Sequence, residues 1–168
     1  MAWTVFIDGK EGTTGLRIFD RLAERGEFSL LTLPEEKRKD ADARREAIHA
    51  ADIAILCLPD AAARESVALA EGSNTRILDT STAHRVAPGW AYGFPELSKK
   101  HRDAVVSGQY VAVPGCHASG FIALAAPLVA AGLIPADTLL SCFSLTGYSG
   151  GGKKMIAQYE ADIRTPDL

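Results

Sequence analysis

The chain has three cysteines, and one of them stands where a thiol can act as a nucleophile. An apolar run over residues 110–113 leads into Pro114-Gly115-Cys116, and an apolar helical pattern follows over 117–131. A strand-to-helix corner exposes the side chain at its apex. The free amides and dipole of a helix start favour a thiolate there and lower the thiol pKa. A thiolate attacks an acyl carbon near neutral pH and departs again readily, which suits acyl transfer. His117 adjoins Cys116, but helix neighbours point in different directions, so it is a poor general base. The plainer reading of any single cysteine is an apolar filler. That reading is adopted for Cys57 and Cys142, each inside an apolar run. An odd number of widely separated cysteines argues against a disulfide framework, and no CxxC or His-x-x-x-His spacing suggests a metal site.

A second group is Gly9-Lys10-Glu11-Gly12-Thr13-Thr14-Gly15, a G-x-x-G-x-x-G turn between a strand and a helix. Its glycines allow a tight turn and a close approach of backbone amides to a pyrophosphate at the helix start. A turn that merely packs helix on strand would read similarly, but the strand-turn-helix context favours dinucleotide binding. After the second strand comes Pro34-Glu35-Glu36-Lys37-Arg38-Lys39. An NAD site usually places an acid at that strand's end. The basic triplet suits a 2′-phosphate, and NADP is the expected cofactor; a solvated helix start is the alternative.

Two further groups are weaker alone. Thr146-Gly147-Tyr148-Ser149-Gly150-Gly151-Gly152-Lys153-Lys154 could bind an anion ahead of a helix or be a flexible loop. Asp79-Thr80-Ser81-Thr82-Ala83-His84-Arg85 lies at the end of a strand, the usual ligand side of a parallel sheet. Arg85 could pair with a carboxylate or phosphate, although a surface salt bridge is the plainer reading.

The elements that must position these residues alternate. Apolar runs at 3–7, 28–33, 52–58 and 76–79 are separated by helical patterns at 13–25, 40–50 and 61–70. The nearly continuous apolar run at 52–58 fits a parallel strand covered on both faces. The expected fold is α/β, a Rossmann-like doubly wound parallel sheet. Residues 80–109 read as loops with short elements. The pattern then predicts a strand at 110–113, a helix at 117–131 bent or split at Pro127, a strand at 138–146 and a helix at 153–163. A boundary near 113 divides an NADP-binding domain, 1–113, from an incomplete α+β substrate and dimerisation domain, 114–168. That second unit has one convincing strand, so the chain reads as cut short or completed by another chain.

With 168 residues, 47% of them hydrophobic, a real core is expected and disorder is not. A net charge of −3 gives no electrostatic case for nucleic acid or an anionic membrane. No apolar stretch is long enough to span a bilayer, and the N-terminus has no signal-peptide pattern. The expected location is cytoplasmic.

Taken in order, Gly9-x-x-Gly12-x-Thr14-Gly15, Asp79-x-Ser81-x-x-x-Arg85, Tyr92-Gly93-Phe94-Pro95-Glu96-Leu97, Pro114-Gly115-Cys116 and Ser149-Gly150-Gly151-Gly152 resemble N-acetyl-gamma-glutamyl-phosphate reductase, particularly its shorter type. Aspartate-semialdehyde dehydrogenases are more distant relatives in this resemblance. Family members often have Ala-Asp-Phe before the arginine, where this chain has Thr82-Ala83-His84, and Asn and Tyr flanking Pro-Gly-Cys, where it has Val113 and His117. The resemblance implies a Cys116 thioacyl intermediate, reduction by NADPH and a semialdehyde product. It implies cofactor contacts at Gly9, Gly12, Thr13, Thr14, Gly15, Ser81, Ser149 and Gly150, substrate contacts at Arg85 and His117, and a homo-oligomer. Family members run well beyond this length, and the further part would carry the catalytic histidine base; none of His49, His84, His101 and His117 matches it. Rival readings are a non-catalytic NADP-binding module and an oxidation-sensing thiol protein.

Overall fold

The computed structural model describes residues 2–10, 13–147 and 150–161. Six parallel strands form one sheet in the order β2-β1-β3-β4-β6-β5: β1 (Trp3–Asp8), β2 (Phe28–Leu31), β3 (Ile53–Leu56), β4 (Arg76–Asp79), β5 (Ala91–Tyr92) and β6 (Tyr110–Ala112). The helices are α1 (Thr13–Ala23), α2 (Ala41–Ala50), α3 (Asp60–Leu69), α4 (Lys99–Ser107), α5 (Cys116–Ala130) and α6 (Gly152–Glu160).

The apolar strands are buried on both faces, and pleating divides their side chains. Phe6, Ala54, Leu56 and Ile77 join Ala47 and Ile48 of α2 in one cluster. Val5, Ile7 and Ile55 meet Ile18, Phe19 and Leu22 of α1 in the other. Alternate residues of a strand face opposite sides, so each run must be apolar throughout. Asp40 caps α2 by accepting from the Ala43 amide at 2.8 Å, which satisfies one free donor of the first turn.

Register decides where ligands can meet the sheet. Asp8 pairs with Leu56, Leu56 with Asp79, and Asp79 with Ala112. These four residues form one row at the C-terminal edge. The turns that follow, at Gly9, Cys57, Thr80 and Val113, therefore emerge side by side. The order in which strands are added reverses at β1, with β2 on one side and β3 on the other. Such a switch point opens a crevice at the strand ends.

Two expectations are corrected. Residues 138–146 form no strand among the described residues, because an alternating pattern needs a neighbour to pair with and none is supplied there; Leu139, Phe143 and Leu145 are exposed. Cys142 lies in that segment and is exposed, not an apolar filler. Helix α5 runs unsplit through Pro127. Residues 80–109 also contain α4, capped by Ser98 through the His101 amide. Its Lys99-Lys100-His101-Arg102-Asp103 start carries no apolar stripe to announce it. The buried core of the described residues ends at Ala112. Helix α5 buries no side chain fully, and Phe121, Leu124 and Leu128 remain exposed. No helix of the described residues is long and apolar enough to cross a membrane.

Candidate functional site

The glycine turn is anchored from beneath. Asp8, the last residue of β1, is buried, and its Oδ2 accepts from Arg44 Nε and Nη2 at 3.2 and 3.1 Å and from Ser66 Oγ at 2.7 Å. Arg44 Nη1 also donates to Glu65 at 3.1 Å. This network ties β1, α2 and α3 together directly below Gly9. No local spacing in the sequence signals it.

Gly9 has φ +86°, and a Cβ there would lie 2.3 Å from the Cys57 carbonyl oxygen. Only glycine fits both the conformation and the close approach of the two turns. A Cβ on Gly15 would lie 2.5 Å from the Gly9 carbonyl oxygen, so this glycine lets α1 cross the turn closely. Thr14 is exposed in the first turn of α1, whose early amides have no helical acceptor. Gly12 and Ser149 lie outside the described residues, as does the side chain of Thr13.

A crevice of about 700 Å³ opens beside this turn, lined by Asp8, Gly9 and Lys10, by Leu33 through Lys39 in part, and by Cys57 and Leu58. Arg38 and Lys39 of the basic triplet line it together with Glu35 and Glu36. Its size is that of a ligand pocket. Cys57 is half-buried on its floor, and burial pushes the thiol up to about 11.

Past β4, the loop that begins at Thr80 is held at many points. The Thr80 amide and hydroxyl both donate to the Leu56 carbonyl. Thr82 donates its amide and hydroxyl to Asp60, which holds that carboxyl below its usual range. Asp79 is fully buried and accepts from Ser81 N at 2.9 Å and Ser81 Oγ at 2.7 Å, with His84 Nδ1 at 2.6 Å. Ser81, expected among cofactor contacts, thus directs its hydroxyl proton into the protein. His84 is buried and stacks on Trp90, centroids 4.2 Å apart. The one local trace of this His84–Asp79 pair in the sequence is the Asp-x-Ser-x-x-His spacing.

Arg85 emerges from that loop toward the next turn. Its Nε donates to the Val113 carbonyl at 3.2 Å and its Nη2 to the Thr80 carbonyl at 3.1 Å. A Cβ on Gly115 would lie 2.9 Å from Nη1. The guanidinium therefore bridges the loops after β4 and β6, packed against the residue before Cys116, which replaces the surface salt bridge as the reading of this side chain.

Cys116 is exposed and is the first residue of α5, with Gly115 at the cap in extended conformation. The corner expected for a nucleophile is therefore present. His117 turns away from it: Nδ1 meets Ser144 Oγ, and Nε2 meets Thr146 Oγ1 at 2.8 Å. It pins residues 144–146 against the start of α5. Gly150 follows, its amide donating to the Gly147 carbonyl at 2.8 Å. Among the described residues no cluster of His, Cys, Asp and Glu could hold a metal ion. Three strand spacings separate the β1 turn from the β6 turn, roughly 14 Å.

Residues 4–105 match the family model described as semialdehyde dehydrogenase, NAD binding domain. The chain is 56% identical over 160 residues to N-acetyl-gamma-glutamyl-phosphate reductase of Chelativorans sp. (strain BNC1), covering 95% of this chain and 52% of that protein. It is 55% identical over 164 residues to the enzyme of the same name from Brucella ovis, covering 97% and 53%. The chain thus spans about half the length of the curated relatives it matches. Among solved structures, aspartate semialdehyde dehydrogenase from Francisella tularensis superposes with a TM-score of 0.68 at 16% identity, covering 94% of this chain and 48% of that one. The enzyme from Candida albicans, solved with NADP, gives 0.57 at 16% identity, covering 77% and 47%. The structures support the parallel-sheet fold alone, whereas the curated relatives carry the motif resemblance through nearly the whole sequence. On the match over 4–105, the chain belongs to the semialdehyde dehydrogenase family, of which it carries the NAD-binding domain.

Proposed function

We propose that this chain is the cofactor-binding and nucleophile-bearing part of an NADPH-dependent reductase that converts N-acetyl-glutamyl 5-phosphate to the 5-semialdehyde. The observation that carries the reading is an exposed thiol at the first residue of α5, on the same sheet edge as the glycine turn. Relatives at 55–56% identity bear that enzyme's name.

The residues fit a dinucleotide. The crevice lies at the switch point, Gly9 and Gly15 let the turn pack tightly, and the start of α1 offers amides to a pyrophosphate. Gly9, Gly12, Thr13, Thr14, Gly15, Ser149 and Gly150 would hold it. The span to Cys116 suits an extended dinucleotide lying along the row of strand ends. When bound, NADPH supplies the hydride.

Cys116 Sγ attacks the acyl carbon; a carbon–sulfur bond forms, the bond to the phosphate oxygen breaks, and phosphate leaves. The resulting thioester is reduced, and Cys116 departs as a thiolate. The free amides of the first turn of α5 face the developing oxyanion. Residues 114–168 read as the beginning of the catalytic and dimerisation unit, a division supported by the unburied apolar face of α5. We infer a cytoplasmic homo-oligomer.

Arg85 binds the departing phosphate through the guanidinium edge left by its two carbonyl bonds, and His117 shapes the substrate side through residues 144–146. Arg85→Ala is expected to raise KM for the acyl phosphate about tenfold or more, since a charge-assisted contact is lost; an unchanged KM rejects this role. The function itself is tested by mixing the protein with NADP, phosphate and the semialdehyde and following formation of reduced cofactor. Cofactor binding without turnover would instead support a non-catalytic module.

A further inference from the structure

We infer that Lys10 is a ligand for the 2′-phosphate of NADP and sets the crevice's preference for the phosphorylated cofactor, an inference that rests on the cofactor reading above.

Lys10 follows Gly9 in the first turn and lines the crevice. Its ammonium lies 3.6 Å from the centroid of the Phe19 ring. No carboxylate among the described residues pairs with it. Four other cations of this chain are paired with carboxylates: Arg44 with Asp8 and Glu65, Arg25 with Glu27, Arg45 with Asp42 and Lys99 with Asp103. A cation held by an aromatic face is fixed in place yet keeps its charge for a ligand.

The charge balance of the crevice gives Lys10 its weight. The ionisable side chains that line it are Asp8, Lys10, Glu35, Glu36, Arg38 and Lys39. Asp8 is already paired with Arg44. The acids Glu35 and Glu36 line the crevice beside Arg38 and Lys39, and Lys10 adds a cation from the turn after β1.

Position distinguishes the 2′-phosphate from the pyrophosphate. Lys10 shares its crevice with Thr32, Leu33 and the 35–39 segment beyond β2, whereas Thr14, in the first turn of α1, is not among the lining residues. These neighbours lie at the end of β2, where the ribose of a dinucleotide is read.

The test is the Kd of NADP and of NAD, measured by titration calorimetry on the unaltered protein and on Lys10→Met, which keeps an apolar stem over Phe19. Lys10→Arg serves as the conservative variant. The expected result is an NADP affinity about tenfold weaker in Lys10→Met, an NAD affinity changed by less than about twofold, and NADP affinity largely restored in Lys10→Arg. Equal weakening of both cofactors would assign Lys10 to the pyrophosphate and overturn the inference, as would an unchanged NADP affinity. If the unaltered protein binds neither cofactor, the cofactor reading fails and the inference with it.

Discussion

Cys116→Ser is expected to abolish conversion of the semialdehyde, NADP and phosphate, with turnover falling by roughly 10⁴ or more, the scale of nucleophile deletions, while the Kd for NADP stays within about twofold. A hydroxyl at the same corner is a far weaker nucleophile near neutral pH and forms no thioester. The substitution changes a single exposed atom, so the sheet and the glycine turn are undisturbed. Loss of activity together with loss of cofactor binding would point to a folding defect. Retained activity would remove the thioacyl step from the mechanism.

The largest stability effect is expected at Arg44. Among the described residues, Arg44→Met removes the charged partner of Asp8 and leaves a carboxylate 5% exposed with Ser66 Oγ as its side-chain partner. Breaking a buried pair by deleting one partner costs about 3–5 kcal/mol, against a total stability of about 5–15 kcal/mol for a typical protein. Thermal unfolding should therefore begin roughly 10 °C lower or more. Because Asp8 immediately precedes Gly9, cofactor affinity should fall as well. Adding Asp8→Asn to Arg44→Met should recover part of the loss, since a neutral amide is cheaper to bury than an unpaired carboxylate. A Tm within 2 °C of the parent, on the scale of roughly 1 kcal/mol or less, would show that the network contributes little.

The two halves of this account differ in how far the sequence reveals them. The alternation of apolar runs with helical patterns gives β1 through β4 and their crossovers directly, because strands covered on both faces must be apolar throughout. The corner at Cys116 is equally legible, since Pro114-Gly115 ends one element and an apolar helix begins the next. The parts that are not legible depend on partners far apart in the chain. Arg44 reads as one more charge on a polar helix until folding brings Asp8, 36 residues earlier, beneath it. His84 and Asp79 are near in sequence, but the pairing appears only once Trp90 closes over the ring. Arg85 looks like a surface cation until β4 and β6 are seen to be neighbours, which places the Val113 carbonyl and Gly115 against it. The strand expected at 138–146 fails for the opposite reason: its alternation is real, but alternation specifies a face and cannot supply a partner.

Peptide-resolved alkylation by iodoacetamide at neutral pH tests the central claim most directly, because the chain holds two exposed cysteines and one half-buried one. Cys116 should be labelled well before Cys142, its exposed control, and Cys57 last, with its thiol pushed up to about 11 by burial; reductase activity should decay in step with Cys116 labelling alone. Labelling of Cys142 first, or activity that survives complete labelling of Cys116, would contradict the account.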